Sequence, residues 1–281
     1  MGLQDSAMLV KIGIGIYSNE RIDHESAQEL ATQHKVDKYV KARRISLPEY
    51  TLDPIRRIVG DIRLYHAANT LPFLDRGVRL LPSDNYFEYV QGLSKRTSAF
   101  ETAVNTFLTN LPIYIAEAKQ KFGDRFDETH VPSTQELIKK FYISPVFMPI
   151  ADHADWRLDL ENAELEKLKN QYAIQLVQAQ EANTELLWDE IIKELDHFID
   201  RMETPKAKLF ATLLPNLNQL AKVTIRLNTA KDEMLNDICT SIVHTVSSGY
   251  DVDDLRHANT KLDVLGAAQA IRSRIRVHKS K

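Results

Sequence analysis

The feature that most constrains the fold is a stretch of 46 residues, 158–203, that contains neither glycine nor proline. Because those two residues are the usual helix breakers, their absence predicts one continuous helix of about 69 Å. Its apolar seam repeats about every 3.7 residues, which suits a nearly straight helix pairing better than a heptad coiled coil. Asn183 interrupts the seam, and a buried polar residue can fix the register of such a pairing. The seam residues predicted to meet a helical partner are Leu165, Leu168, Tyr172, Leu176, Ala179, Leu187, Ile191, Leu195, Phe198 and Met202.

The chain after this stretch is predicted to form two more helices. Thr204-Pro205 suits a helix start because proline is favoured at the first helical position, and an apolar stripe then continues through Ile242. A third helix follows after a serine- and glycine-containing break. Long helices joined by short turns fold back antiparallel. Residues 158–281 are therefore predicted to form a long, coiled-coil-like helical hairpin with a third helix.

The first half of the chain carries strand patterns as well as helical ones. Residues 8–18 alternate with a period of two, which predicts a strand. Gly13 and Gly15 share one of its faces, so a close contact is expected there. A second short strand is predicted around Leu80. The extended segment 141–150 contains two prolines, so it is expected at a sheet edge, where pairing with 8–18 would make a small antiparallel sheet.

Several helices are predicted around that sheet. Residues 23–44 are interpreted as one helix with a basic polar face, and Asp53 is expected to cap a second. A long third helix is expected to end at Gly123 and to kink or break at Pro112. The sequence Ser133-Thr-Gln-Glu is typical of a capping box that opens a short helix.

Together these patterns predict a mainly α (α+β) fold, with a small antiparallel β-sheet packed on helices and a long antiparallel helical hairpin. We expect an N-terminal α+β domain, 1–157, and a C-terminal long-helix region, 158–281. No segment approaches the roughly 20 apolar residues of a membrane span, and the start lacks the pattern of a signal peptide. The single cysteine, Cys239, is interpreted as a small buried hydrophobe. These features predict a cytoplasmic protein of a bacterial host cell.

No motif for catalysis, cofactor binding or metal binding stands out. The nine histidines form no HExxH pair, and neither a nucleophile elbow nor a Walker lysine occurs. Asp152-His153-Ala154-Asp155 is better explained as a helix cap than as a metal site, which needs three or four converging donors. We therefore expect a non-enzyme without cofactors. An enzyme with a dispersed site stays open, and a deep pocket of charged groups with strongly shifted pKa values would support it.

Two local basic patches are the features that point to nucleic acid. The net charge of −3 gives no overall field for steering onto phosphates, so local patches would have to provide it. Such patches are also common as solvated helix surfaces and as cations at a helix C-terminus. The spacing of the second patch does not make one helical face, so that end is expected to be frayed. The candidate nucleic-acid-binding residues are Lys35, Lys38, Lys41, Arg43 and Arg44, and Arg272, Arg274, Arg276, Lys279 and Lys281.

The order of motifs over roughly residues 8–160 resembles a family of uncharacterised phage and mobile-element proteins, known as a domain of unknown function. The resemblance rests on the opening LVKIGIGIYS (9–18), the helix 53–66, the link FLDRGVRLLP (73–82), the long helix after it, and the extended FYISPV (141–146). The tryptophan-containing opening strand usual in that family is absent here. The resemblance implies a partner of a MoxR-type AAA+ ATPase, near phage recombination and replication proteins. It supplies no catalytic residues.

Two functional hypotheses follow from the residues and the resemblance. The first is a non-enzymatic helical adaptor or assembly protein of phage or mobile-element type, whose seam packs on itself, on a second copy or on an AAA+ ATPase. The alternative is a DNA-binding accessory protein of phage recombination or replication that uses the basic patches 35–44 and 272–281.

Overall fold

A computed structural model describes residues 2–36, 40–74, 77–152, 162–204, 210–246, 250 and 253–279. The helices within these residues are α1 (Leu3–Ser6), α2 (His24–Gln33), α3 (Asp53–Ala68), α4 (Tyr86–Phe122), α5 (Thr134–Lys140), α6 (Asn162–Glu203), α7 (Leu213–Leu227), α8 (Glu233–Ser241) and α9 (Ala258–Lys279). The strands are β1 (Ala7–Gly15), β2 (Glu20–Asp23), β3 (Ala42–Ile45), β4 (Leu71–Pro72), β5 (Arg79–Pro82) and β6 (Tyr142–Met148).

The chain divides into two compact units that alternate along the sequence. Unit 1 comprises Met1–Lys11, Ala67–Tyr89 and Phe147–Lys281, and unit 2 comprises Ile12–His66 and Val90–Val146. The predicted boundary between residues 157 and 158 lies outside the described residues and stays a prediction.

The main sheet has four strands in the order β4-β5-β1-β6. β1 and β5 pair antiparallel, with Val10 opposite Arg79, and β4 pairs antiparallel with β5. β6 lies at the edge, where Pro145 does not interrupt an interior ladder of hydrogen bonds. The predicted strands at 8–18, around Leu80 and within 141–150 are confirmed. The predicted mainly α (α+β) class is confirmed with them.

The glycine face of β1 makes the close contact that the sequence predicted. A Cβ atom at Gly13 would lie 3.5 Å from the carbonyl oxygen of Ser144. A Cβ atom at Gly15 would lie 2.5 Å from Cδ1 of Tyr142 and 2.8 Å from the carbonyl oxygen of Lys140. Position 15 therefore requires glycine, because the facing backbone leaves no room for a side chain.

The core of unit 1 forms around the second half of α6. Its buried face packs against α7 and α9. Leu71 and Leu80 of the β4–β5 hairpin belong to the same core. Since burial of one such side chain stabilises a fold by about 1.5–3 kcal/mol, this cluster is the main source of stability of the unit.

The core of unit 2 is built on α3 and α4. Ile55, Val59 and Ile62 of α3 are fully buried, which matches their helical spacing. Arg96 of α4 places its guanidinium carbon 3.9 Å from the ring centroid of Tyr65 of α3, a cation–π contact.

α4 and α5 begin and end largely as the sequence predicts. α4 ends at Phe122, and Gly123 follows with a φ of +55°, a conformation that favours glycine. The capping box is present, because the amide of Ser133 donates to Glu136 over 2.9 Å and the hydroxyl of Ser133 accepts from the Glu136 amide over 3.4 Å. Pro112 lies inside α4, which continues without a break.

The prediction of one helix over 23–44 is wrong. α2 ends at Gln33 in a Schellman arrangement, in which the amide of Val36 donates to Ala31 and the amide of Lys35 donates to Thr32. The residues around the helix form the antiparallel pair β2–β3 instead. Opposite charges join the two strands, because Arg43 pairs with Glu20 and Arg44 with Asp23. Cross-strand ion pairs of this kind stabilise a β-ribbon.

The single helix predicted from Thr204-Pro205 through Ile242 is also wrong as a continuous element. Residues 205–209 lie outside the described residues, α7 begins only at Leu213, and a turn separates α7 from α8. Polar side chains create that turn. The side-chain Nδ2 of Asn228 donates to the backbone carbonyl oxygen of Asp232 over 2.8 Å, and the carboxylate of Asp232 accepts from the backbone amide of Leu235 over 3.0 Å. Asp232 therefore caps α8.

Candidate functional site

The second half of the predicted seam is not available to an outside partner. Leu187, Ile191, Leu195, Phe198 and Met202 are all at most 2% exposed. They pack within unit 1, mainly under α7 and α9. The seam was expected to pack on the chain itself, on a second copy or on an AAA+ ATPase. For this half, the partner is the chain itself.

The first half of the seam is half-buried, and Tyr172 and Leu176 in it pack against the core of unit 1. Its members are Leu165, Leu168, Tyr172, Leu176 and Ala179. Asn183, where the two halves meet, is 3% exposed.

Asn183 is the buried polar residue that the sequence singled out. Its Nδ2 donates to the carbonyl oxygen of Pro72 in β4 over 3.1 Å. The side chain therefore fixes the position of α6 along the β4–β5 hairpin, and not the register of a helix pair.

The opposite side of this part of α6 is exposed along its whole length. Its side chains lie on one helical face, because they recur every three or four residues apart from one adjacent pair, Val177 and Gln178. Ile174 is 59% exposed and Val177 is 55% exposed, which is unusual for two apolar side chains one turn apart. We call this surface the outer face of α6 and define it by Ala163, Lys167, Asn170, Ile174, Val177, Gln178 and Glu181.

The first basic patch is not a helical surface. Lys38 lies outside the described residues, and Lys35 follows the end of α2 with a φ of 52°. Lys41 precedes β3, and Arg43 and Arg44 lie in β3, on opposite faces of the strand. Both arginines are already in ion pairs, so phosphates would have to compete with Glu20 and Asp23 for them.

The second basic patch mostly joins helices to one another. α9 continues to Lys279, so the expectation of a frayed end is wrong for the described residues, and Lys281 lies beyond them. Two hydrogen bonds from the guanidinium of Arg272 hold it to the carboxylate of Asp196 in α6, and Nη2 lies 2.9 Å from Oδ2. Arg274 pairs with Asp237 of α8.

The end of α9 makes two further contacts with α6. Lys279 Nζ lies 3.1 Å from Asp189 Oδ1. The ring of His278 stacks on Trp188 at 5.4 Å between centroids. Arg276 is exposed beside them. The basic residues at this end therefore hold α9 against its neighbouring helices, and an external ligand would have to compete with those contacts.

Unit 2 contains a charged cleft that the sequence did not reveal. It has a volume of about 200 Å³ and lies between the β2–β3 hairpin, the first turn of α2 and the segment 125–130. The only sign of it in the sequence is a helix-capping pattern, because Asp23 and Asp127 each precede a serine or threonine by two or three residues. The charged and titratable side chains of the cleft are Arg21, Asp23, His24, Glu25, Arg44, Arg125, Asp127 and His130.

Several of these side chains have a group of opposite polarity as a close neighbour. Arg44 Nη2 lies 2.9 Å from Asp23 Oδ2, and Arg125 Nη2 lies 3.3 Å from the carboxylate of Glu29. His130 Nε2 lies 3.3 Å from Asp127 Oδ2. The cleft is thus a network of opposite charges and not a basic or acidic pocket.

The pKa values of the two aspartates are lowered, which sets what the cleft can do chemically. Hydrogen bonds from the hydroxyl and amide of Ser26 lower the pKa of Asp23 to about 2, with a further contribution from Arg44. Hydrogen bonds from the hydroxyl and amide of Thr129 lower the pKa of Asp127. A carboxylate this acidic stays ionised at neutral pH and is a weak base. Both aspartates are therefore fixed anions that cap α2 and the turn at 127–130.

We predict that Asp23 contributes to stability only while it is ionised. Its pKa is lower when folded than the ordinary 3.8, so its stabilising effect is complete above about pH 3.8 and is lost as the pH falls towards 2. Ser26→Ala removes the largest cause of this shift and should move the pKa of Asp23 upwards. Side-chain carboxyl NMR titration checks this, and an unchanged pKa in the variant would contradict it.

The other candidate centres of the sequence are the stretch Asp152–Asp155 and Cys239. No group of three or more His, Cys, Asp or Glu side chains in that part of the chain could hold a metal ion. Of the sequence Asp152–Asp155, all but Asp152 lie outside it. Cys239 is fully buried, and burial raises the pKa of its thiol to about 12, as expected for a structural cysteine. No helix in the described ranges is both long and apolar enough to cross a bilayer.

No protein-family model, curated protein or solved structure matches the chain. The resemblance to the phage and mobile-element family, and the AAA+ ATPase partner that it implies, therefore stay predictions.

Proposed function

We propose that this protein is a non-enzymatic assembly protein that binds a second copy of itself through the outer face of α6. The observation that supports this is the contrast between the two ends of one helix. The second half of α6 is covered by its own unit, whereas the first half carries Ile174 and Val177 exposed on its outer side. Exposed apolar side chains grouped on one face are typical of interaction sites.

The lengths of the helices in unit 1 support the same conclusion. α6 has 42 residues, whereas α7 has 15 and α9 has 22. At 1.5 Å per residue α6 extends about 63 Å, and α7 only about 23 Å. Neither neighbour is long enough to cover α6 from end to end, so part of the helix is free for another chain.

The charges of the outer face favour a second copy as the occupant. The face carries one cation, Lys167, and one anion, Glu181, among amide and apolar side chains. A surface with both signs can complement itself, as the interface of a two-fold symmetric dimer must. A MoxR-type AAA+ ATPase is a further proposed partner, supported by the family resemblance, and co-purification of the two proteins would test it.

The DNA-binding alternative receives less support from the geometry. Arg43, Arg44, Arg272, Arg274 and Lys279 are all engaged in ion pairs within the chain. Phosphates would have to compete with those carboxylates. The alternative stays a prediction, and binding that falls steeply with added salt would support it.

Self-association is tested by measuring the mass of the full chain by light scattering over a wide range of concentration. We expect a rise from 32.2 kDa towards twice that value. The double variant Ile174→Glu, Val177→Glu places charges in the proposed interface. It should raise the dissociation constant by at least about tenfold, which corresponds to about 1.4 kcal/mol.

Leu262→Glu is the matched control, because Leu262 is also exposed, on α9 of the same unit. This variant should associate like the unchanged protein. A single species of 32.2 kDa at every concentration would refute the proposed self-association, as would equal effects of the two sets of substitutions.

A further inference from the structure

The outer face of α6 has an internal symmetry around Ile174. Lys167 lies seven residues before Ile174 and Glu181 lies seven residues after it. Seven residues are close to two helical turns, so all three side chains point in nearly the same direction, with the charges about 10 Å from the centre on either side. Asn170 and Gln178 are likewise four residues before and after Ile174.

We infer that two copies of α6 pack antiparallel, with the two-fold axis passing Ile174. This inference rests on the proposed self-association and adds its geometry. In such a pair Lys167 of each copy faces Glu181 of the other, so two ion pairs form. In a parallel pair Lys167 would face Lys167 and Glu181 would face Glu181, which places like charges opposite each other. The charges thus select the antiparallel arrangement.

The two charged groups are available for this role. Lys167 has Glu164 as an ion-pair neighbour, at 3.8 Å, and their side chains are 73% and 62% exposed. Such an exposed, long pair contributes little and is easily exchanged. Glu181 is exposed, and within the described parts of the chain no ion pair holds it.

The central residues are compatible with the same geometry. Ile174 would meet Ile174 of the second copy at the axis, with Val177 beside it. Asn170 would lie opposite Gln178, and two amide side chains can donate to and accept from each other. An interface of one helix face is small, so a dissociation constant in the micromolar range is expected.

Charge reversal tests the orientation. Lys167→Glu alone and Glu181→Lys alone each convert both ion pairs into repulsive contacts, so each should weaken the dimer about tenfold at low salt. The double variant Lys167→Glu, Glu181→Lys restores the pairs and should dimerise like the unchanged protein. Added salt should reduce all these differences, because the charges are solvent-exposed.

Cross-linking gives a second measurement that does not depend on charge. The natural Cys239 is fully buried, so an introduced cysteine is the reactive one. Asn170→Cys and Gln178→Cys proteins, mixed and oxidised, should form a disulfide-linked heterodimer, while either protein alone should cross-link poorly. Efficient cross-linking of the Asn170→Cys protein with itself would overturn the antiparallel arrangement.

The outcomes separate the two proposals. If the unchanged chain dimerises and Ile174→Glu, Val177→Glu abolishes the dimer, the proposed function holds whichever orientation is found. If the single charge reversals then leave the dissociation constant unchanged, only the antiparallel arrangement fails. If the unchanged chain stays at 32.2 kDa at every concentration, both fail.

Discussion

Phe198→Ala is expected to lower the free energy of unfolding of unit 1 by about 3–5 kcal/mol. Phe198 is fully buried in the second half of α6, where it packs in the core shared with α7 and α9. Removing the ring leaves a cavity that the surrounding helices fill only in part. Chemical denaturation followed by circular dichroism measures the change as a shift of the unfolding midpoint to lower denaturant concentration.

Phe87→Ala is the matched control for this prediction. Phe87 belongs to the same unit and is 83% exposed, so the same substitution should change the free energy by no more than about 0.5 kcal/mol. Equal losses in the two variants would mean that the second half of α6 is not the centre of the core.

Gly15→Ala is expected to destabilise unit 2 by about 1–3 kcal/mol. The new Cβ atom would lie 2.5 Å from Cδ1 of Tyr142 and 2.8 Å from the carbonyl oxygen of Lys140. The ring can rotate away, but the carbonyl belongs to the backbone and can move only with the chain. Adding Tyr142→Ala should therefore recover only part of the lost stability. Thermal denaturation of the single and double variants measures both effects.

Gly60→Ala provides the contrast within the same unit. Gly60 lies inside α3, where an added Cβ atom would meet nothing within 4 Å. Alanine is a better helix former than glycine by about 0.8–1.0 kcal/mol, so this variant should be more stable than the unchanged protein. A stabilising effect at both positions would show that β1 and the chain at 140–142 are farther apart than described.

Local rules explain why several elements could be predicted from the residues. α6 follows from the long absence of helix breakers, and its buried half follows from the repeat that brings Leu187, Ile191 and Leu195 onto one face. The end of α4 at Gly123 and the capping box at Ser133 depend on one or two residues each. Such signals act within a few positions of the chain, so they are visible without the fold.

The wrong predictions share a different cause. Residues 20–23 and 42–45 form a ribbon because Glu20 meets Arg43 and Asp23 meets Arg44 across about twenty positions, which no helical period reveals. The break between α7 and α8 depends on Asp232, whose carboxylate also accepts from the indole of Trp188 in α6. Contacts of this kind exist only after the chain has folded.

The candidate surfaces also divide into features that local sequence patterns predict and features that depend on contacts in the folded chain. The seam of α6 could be predicted as an apolar stripe, but its coverage by α7 and α9 could not. The basic residues 272–279 form a cluster in the sequence, yet Asp189, Asp196 and Asp237, which neutralise three of them, come from other helices. The charged cleft was missed because its members come from three separate segments, each of them ordinary on its own.

The alternation of the two units along the chain has a consequence for synthesis. Asn183 and the carbonyl of Pro72 that it binds are 111 positions apart, and Leu3, Leu71 and Leu80 share a core with residues of α6. A ribosome adds roughly 5–20 residues per second, so these early leucines emerge many seconds before the helix that shelters them. During that interval the nascent polypeptide exposes an apolar hairpin, and we expect a chaperone to bind it.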